Sequence, residues 1–213
     1  YQYKNNVFIG QTVLHITGSA DYYNRSSIDF LAYNGEIYNY LNFGIYNNDI
    51  ELVHELVPNN LTKFKQAEGM WAWAWTDFDR VLYASDPQGE KTLYRYQDDD
   101  ILIVSSEIAP ILEYRQFSIT AVDYTTRHWP IVQQTPWIGI ERIPAGVAFD
   151  ECGSSIEIDS IFNWRQPVYY NNFDEVYEEF RALFKSVVRS MRPSQPYGLA
   201  FSGGIDSACI LAQ

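Results

Sequence analysis

Residues 70–75 read MWAWAW, a strict alternation of large and small side chains. Because successive side chains of a β-strand point to opposite faces, this period of two predicts a strand with tryptophans on one face and alanines on the other. A tryptophan stripe is more typical of core packing than of a sugar-stacking platform. The alanine face lets a second layer come close, so the stretch predicts a strand packed on both of its faces.

The sequence around this strand predicts further short strands, separated by turns, with few helices. Apolar and β-branched runs predict strands at residues 7–16, 28–33, 80–85 and 101–105. We expect residues 147–149 and 156–158 to pair across a hairpin turn that contains Cys152. A short helix over residues 48–56 and a further helix over 60–68 complete the region, which is therefore of the α+β class.

The character of the sequence changes near residue 165. Asn172, with Glu175 three residues later, is typical of a helix start, and apolar residues then recur at helical spacing. We therefore expect a long amphipathic helix that ends before Pro193. The change predicts two domains, residues 1–165 and 166–213.

A glycine-rich motif lies near the end of the chain, where residues 198–207 read GLAFSGGIDS. This order predicts a strand, a glycine turn and the start of a helix. Adjacent glycines let the backbone approach an anion closely, and the N–H groups of a helix start point towards it. Ser202, Asp206 and Ser207 add hydroxyl donors, a helix cap or a metal ligand. The motif predicts phosphate binding, although an ordinary Gly-Gly turn capped by Asp206 fits the same residues.

Composition limits the classes of function. The chain is 46% hydrophobic and 20% charged, which is typical of globular proteins. Its net charge of -12 argues against nucleic-acid and anionic-membrane partners, and no apolar run is as long as a membrane span. We expect Cys152 in a turn and Cys209 as a small core residue, with neither a disulfide framework nor a zinc site. A reduced, cytoplasmic location follows.

Residues 33–40, YNGEIYNY, carry the second motif. Asn-Gly alone is typical of a hairpin turn. Here the stretch resembles the NGEIYN motif of the class II glutamine amidotransferase domain in asparagine synthetases. Further segments resemble that domain in the same order: residues 48–52, 68–74, 86–94, 105–108 and 143–146. The glycine motif resembles the SGGxDS pyrophosphate loop of the N-type ATP pyrophosphatases, and the asparagine-synthetase-like enzymes join these two modules in this order.

The resemblance implies a fold and a glutamine site. The fold is a four-layer αββα sandwich of antiparallel sheets, of the N-terminal-nucleophile type, followed by the first helix, strand and loop of an α/β adenine-nucleotide-binding domain. In the family, an N-terminal cysteine thiolate attacks the side-chain amide of glutamine. Asn34 and Gly35 would form the oxyanion hole, while Glu36 and Asp49 would hold the α-ammonium of glutamine.

The second half of the implied reaction uses ATP, Mg²⁺ and aspartate. Ammonia would attack a β-aspartyl-AMP intermediate and release asparagine and AMP. The residues that would hold ATP are Phe201, Ser202, Gly203, Gly204, Asp206 and Ser207, and Asp206 is also the candidate Mg²⁺ ligand. The resemblance is compatible with a homodimer.

The sequence departs from the family pattern at several points. It begins at Tyr1 with no cysteine before it, so we expect a chain that is truncated at both ends and inactive alone. Val13 stands where the family has the arginine that binds the glutamine carboxylate, and Pro87 and Thr92 alter the 86–94 motif. Three alternatives stay open. The first is a ligase with a retired glutaminase, either β-lactam synthetase-like or ammonia-using. The second is a free-standing glutamine amidohydrolase or hexosephosphate-type aminotransferase, which the glycine loop argues against, and the third is a noncatalytic relic.

Overall fold

The computed structural model describes residues 2–12, 28–119, 135–158, 169–170, 172–193 and 196–213. Three predictions fall outside these residues: the second half of the strand at residues 7–16, most of the linker before Asn172, and the domain boundary near residue 165. Val13 also lies outside them.

The first strands form a small hairpin. Strand β1 (Gln2–Lys4) pairs with β2 (Val7–Ile9) in antiparallel register. The strand predicted from residue 7 is therefore shorter than expected, because residues 10–12 lie in no strand. Gln11 instead uses its side chain to contact the next strand, as described below.

A five-stranded antiparallel sheet forms the centre of the fold. In chain order its strands are β3 (Phe30–Ile37), β4 (Gly69–Thr76), β5 (Val81–Ser85), β9 (Val147–Asp150) and β10 (Ser155–Glu157). The spatial order is β10-β9-β5-β4-β3, so β3 and β10 are the edges. The predicted hairpin is confirmed, with Ile156 opposite Ala148 across a turn that contains Cys152.

The alternation in β4 is confirmed, and it separates two cores. Trp71, Trp73 and Trp75 are buried on the face that packs against helix α1 (Asp49–Asn59). Ala72 and Ala74 lie on the opposite face, in contact with residues of a second sheet. Because alanine is short, this second sheet approaches β4 closely, as the sequence predicts.

The second sheet has three antiparallel strands and carries a short helix. Its strands are β6 (Tyr94–Gln97), β7 (Leu102–Ser105) and β8 (Ile140–Arg142), in the order β7-β6-β8. Helix α2 (Ala109–Tyr114) packs through Ile111 on the outer face, against Tyr96 and Ile140. The layers thus run helix, sheet, sheet, helix, which confirms the α+β class and agrees with the expected αββα order.

The helix predicted at residues 48–56 is confirmed, although α1 continues to Asn59. Asn48 caps α1, since its Oδ1 accepts a hydrogen bond of 3.0 Å from the Glu51 N–H. Leu52, Val53, Leu56 and Val57 form the apolar face that covers the tryptophans. The further helix expected at residues 60–68 is a 3-10 helix over Leu61–Gln66.

The last part of the chain contains α3 (Phe173–Ser190) and α4 (Ile205–Leu211). Asn172 caps α3 as predicted, with its Oδ1 2.9 Å from the Glu175 N–H. No helix among the described residues combines the length and apolar character needed to cross a bilayer.

Two predictions for this part of the chain are wrong. Residues 198–201 form no strand, because a strand needs a neighbour to receive its hydrogen bonds and none of the described segments pairs with it. Cys209 is exposed rather than in a core, because α4 buries none of its residues.

Candidate functional site

An open cleft of about 810 Å³ lies at the β3 edge of the sandwich. It is lined by residues of β3 and β4 and by the end of β7. All four residues predicted to bind glutamine line this cleft: Asn34, Gly35, Glu36 and Asp49. The fold therefore brings together residues that are up to 15 positions apart in the sequence.

Gly35 lies inside β3, not in a turn at its end. The strand continues to Ile37, and Gly35 is paired with Trp71 of β4. A β-carbon on Gly35 would lie 2.2 Å from the Met70 carbonyl oxygen and 2.5 Å from the Trp71 Cα, and its φ is +151°. The Asn-Gly pair thus serves a close approach of two strands, and the hairpin interpretation of this dipeptide is wrong.

The free edge of β3 presents backbone N–H groups towards the cleft. The Tyr33 N–H donates to Gln11 Oε1 at 2.8 Å, and the Ile37 N–H donates to Asp49 Oδ2 at 2.9 Å. Backbone groups of an antiparallel strand alternate in direction, so the Gly35 N–H points to the same edge as these two. Trp71, opposite Gly35, directs its own N–H and C=O to Asp86 on the other side of β4. This register places the Gly35 N–H next to the exposed side chain of Asn34.

Asp49 connects α1 to the β3 edge. The residue is 5% exposed, and its carboxyl accepts a 2.7 Å hydrogen bond from the Tyr33 hydroxyl in addition to the bond from Ile37. Burial raises the pKa of Asp49 above its usual value, although the bonds from Tyr33 and Ile37 act in the opposite direction. Burial, followed by the nearby charge of Asp49, holds the pKa of Tyr33 well above its usual value.

Glu36 and Lys91 bring opposite charges to the cleft. Glu36 lies on the same face of β3 as Asn34, which is the face towards the second sheet. Burial and then the charge of Asp49 raise the pKa of Glu36, while the charge of Lys91 lowers it. Glu107 also lines the cleft, so its described lining carries three carboxylates and one ammonium group.

The loop that carries Lys91 is organised by Asp86, which is fully buried. Asp86 Oδ1 accepts from the N–H groups of Gln88 at 2.9 Å and Glu90 at 3.1 Å. Its Oδ2 accepts from Lys91 at 2.8 Å and Trp71 at 3.3 Å. One carboxylate therefore joins the loop to β4, directly behind Gly35.

The two departures in the 86–94 motif are accommodated in this loop. Pro87 has no N–H group, and the three loop donors to Asp86 are all supplied by later residues. The Thr92 hydroxyl donates to the Ser106 carbonyl at 3.3 Å, which connects the loop to another wall of the cleft.

The predicted ATP residues lie in an exposed loop and in the first turn of α4. Gly203 has φ of +79°, and Ser202 Oγ lies 3.1 Å from Ser207 Oγ across the turn. The Ser207 hydroxyl donates to the Gly204 carbonyl at 3.0 Å, and Gly204 is the N-cap of α4. The interpretation of Asp206 as the cap is therefore wrong, since Asp206 lies within the first turn.

Hydroxyls, backbone N–H groups and one carboxylate are chemically suited to a phosphate with Mg²⁺. In the part of the chain that the structure describes, no three acidic, histidine or cysteine side chains group as metal ligands, so Asp206 could supply only part of a metal site.

Sequence reasoning missed three contributors to the cleft. Gln11 and Tyr33 act through hydrogen bonds between separate elements, and only Tyr33 had a signal, because it precedes Asn34 in the motif. Lys91 lies in the quoted 86–94 motif, but its spacing in sequence gives no indication that it lines the same cleft as Glu36.

Comparisons with known proteins agree with these motifs. A model of the glutamine amidotransferase domain family matches residues 22–113. The putative glutamine-hydrolysing asparagine synthetase 2 of Methanocaldococcus jannaschii is 26% identical over 206 residues, covering 85% of this chain and 39% of that protein. Glutamine-hydrolysing asparagine synthetase 1 of Bacillus subtilis is 28% identical over 211 residues, covering 86% of this chain and 32% of that protein.

A putative glutamine-hydrolysing asparagine synthetase of Mycobacterium bovis is also 28% identical, over 225 residues. The alignment covers 85% of this chain and 32% of that protein. The chain thus spans about a third of the length of the relatives it matches. These matches confirm the family resemblance that the motifs indicated.

Among solved structures, glutamine phosphoribosylpyrophosphate amidotransferase from B. subtilis aligns with a TM-score of 0.41 and 16% identity. The alignment covers 62% of this chain and 29% of that one, and its low score gives it no weight for the fold.

Proposed function

We propose that the glutamine amidotransferase domain of this chain, which is similar to that of asparagine synthetases, binds glutamine in the cleft at the β3 edge. The observation that carries the proposal is the convergence of Asn34, Gly35, Glu36 and Asp49 on that one cleft. Glu36 and Asp49 would hold the α-ammonium group by charge-assisted hydrogen bonds. The side-chain amide of glutamine would then lie beside Asn34 and Gly35.

The chemistry is acyl transfer from the glutamine amide. The Asn34 amide and the Gly35 N–H would donate to the oxygen of the tetrahedral intermediate. Gly35 lies within β3 and is paired with Trp71 of β4, so the sheet positions its N–H before the reaction begins. We assign the nucleophile to an N-terminal cysteine of the complete protein, since neither Cys152 nor Cys209 lines the cleft.

For the complete protein we propose ATP-dependent amidation of aspartate through a β-aspartyl-AMP intermediate, using the ammonia from glutamine. The residues that would hold ATP are those of the exposed loop from Phe201 and of the first turn of α4, with Asp206 near Mg²⁺. The glycine turn and the paired hydroxyls of Ser202 and Ser207 support a phosphate ligand. A homodimer in the reducing cytoplasm completes the proposal, and the two exposed free thiols suit that compartment.

A second candidate is a ligase that uses free ammonia and has lost glutamine hydrolysis. Val13 is the observation that favours it, since a valine side chain cannot form the bidentate bond of an arginine to a carboxylate.

Asn34→Ala in the complete protein separates these functions. We expect glutamine hydrolysis to fall about 10²–10³-fold, because one oxyanion donor is removed, while ammonium-dependent formation of asparagine from labelled aspartate stays unchanged. Asn42→Ala is the matched control, since Asn42 is also exposed but does not line the cleft.

Equal loss of both activities in Asn34→Ala would contradict the division of roles. A wild-type protein that uses ammonium but not glutamine would support the second candidate, and one that forms no asparagine from either would refute the ligase.

A further inference from the structure

Lys91 holds a cation in the cleft that the proposed glutamine contacts do not use. Its side chain is half-buried and lines the cleft together with Asn34 and Glu36. Among the described residues that line the cleft, it is the only one with a positive charge. No carboxylate oxygen of the described chain lies within 4.0 Å of its ammonium group. This ammonium group is therefore available to an anion that enters the cleft.

The position of Lys91 is set by its backbone. Its N–H donates to Asp86 Oδ2 at 2.8 Å, and its carbonyl accepts from the Ser85 hydroxyl at 2.8 Å. Asp86 is fully buried and also bonds to Trp71, which is the partner of Gly35 in the sheet. The backbone of Lys91 is thus fixed relative to Gly35, and only its flexible side chain has to adapt to a ligand.

The charges of the lining determine which end of an amino acid faces which wall. The α-ammonium of glutamine is attracted to Glu36 and Asp49, and its α-carboxylate is repelled by them and by Glu107. Such a ligand needs a cation in the same cleft for its carboxylate. Lys91 supplies one, since it lines the cleft from the loop before β6 of the second sheet, whereas Glu36 belongs to β3 of the first.

We infer that Lys91 binds the α-carboxylate of the glutamine substrate, and so determines that the cleft accepts a free α-amino acid rather than an amidated one. This inference rests on the proposed function. The alternative is that Lys91 only offsets the charge of Glu36 and has no contact with the ligand.

The test compares two ligands by isothermal titration calorimetry on the complete protein. These are L-glutamine and L-glutaminamide, in which the α-carboxylate is replaced by a neutral amide. We expect Lys91→Met to lower the ratio of the two affinities by about tenfold in favour of glutaminamide, because one charge-assisted contact is lost. Lys91→Arg should keep the wild-type ratio, since it keeps the charge. Lys65→Met is the matched control, because Lys65 is exposed and lies outside the cleft lining.

An unchanged ratio in Lys91→Met overturns the inference, even if both ligands bind more weakly. If wild-type protein binds glutamine, such an unchanged ratio removes the role of Lys91 but leaves the proposed function in place. Wild-type protein that binds neither ligand overturns the proposed function and the inference together.

Discussion

Replacing Asp86 by asparagine should destabilise the protein by about 2–3 kcal/mol, although the two side chains have nearly the same shape. The buried carboxylate accepts four backbone N–H groups, two on each oxygen. An asparagine side chain has only one acceptor oxygen. Its NH₂ group, which takes the place of the other oxygen, is itself a donor and cannot accept from a backbone N–H. Two of the four N–H groups therefore lose their acceptor in either orientation of the amide.

The magnitude depends on which pair of donors is lost. An N–H group left unpaired in a buried place costs about 1–3 kcal/mol. Gln88 and Glu90 are exposed, whereas Trp71 is fully buried. The asparagine oxygen should therefore turn to the N–H groups of Trp71 and Lys91. The N–H groups of Gln88 and Glu90 then lose their acceptor, but water can reach them in part. This places the loss in the lower part of the range for two groups.

Urea unfolding at neutral pH, followed by tryptophan fluorescence, measures this loss. Asp100→Asn is the matched control, because Asp100 is exposed, and we expect it to change stability by less than about 0.5 kcal/mol. Asp86→Ala removes all four acceptors and should cost more than Asp86→Asn. Equal stability of Asp86→Asn and Asp100→Asn would refute the reasoning, since it would mean that the four hydrogen bonds do not stabilise the fold.

Four further changes test other contacts of the site. Gly35→Ala should lower the free energy of unfolding in urea by about 1–3 kcal/mol, because its β-carbon would meet the backbone of β4. Gly198→Ala is the control and should be neutral, since a β-carbon there meets open space. Equal effects of the two substitutions would contradict the close packing at Gly35. Tyr33→Phe should raise the pKa of Asp49 further, since the lost hydrogen bond favours the ionised carboxylate, and a carbon-13 NMR titration that shows a fall would contradict this. Because the folded-state pKa of Asp49 already lies above its usual 3.8, the folded protein retains a proton that the unfolded chain loses, so this group makes stability fall as pH rises from 3.8 through the folded pKa. Asp49→Asn should remove that decrease. The measurement is the unfolding free energy of variant and wild type across this pH range, and a difference between them that stays constant with pH would refute the prediction. Asn48→Ala should cost about 1 kcal/mol by loss of the cap of α1, measured by thermal unfolding, and no loss would show that the cap is dispensable.

The outcome for strands shows where sequence reasoning ends. β4 was predictable because its alternation is strong and lies within one segment. β6 and β8 were missed although the equally short β9 and β10 were predicted, since their polar residues form no apolar run and β8 pairs with β6 from far along the chain. Residues 198–201 show the converse, because an apolar run without a pairing partner among the described residues forms no strand. Short strands depend on partners that a single segment does not specify.

The candidate site shows the same division. The four residues expected to bind glutamine were predicted from motifs, and the fold brings them to one cleft. Their partners Gln11 and Lys91 were not predicted, because each reaches the site from a different element. Asn34-Gly35 was expected as a turn or strand end, since the requirement for glycine comes from the opposite strand and is not visible in residues 33–40.

The sequence by itself determined the tryptophan-rich strand, the asparagine caps of α1 and α3, and the family resemblance, because each depends on residues close together in the chain. Only the tertiary structure decided that Asp49 bonds to the β3 edge and that the Gly35 N–H faces the cleft. It also decided that Lys91 lines the same cleft as Glu36. These features depend on the register and packing of separate elements, which local side-chain patterns do not encode.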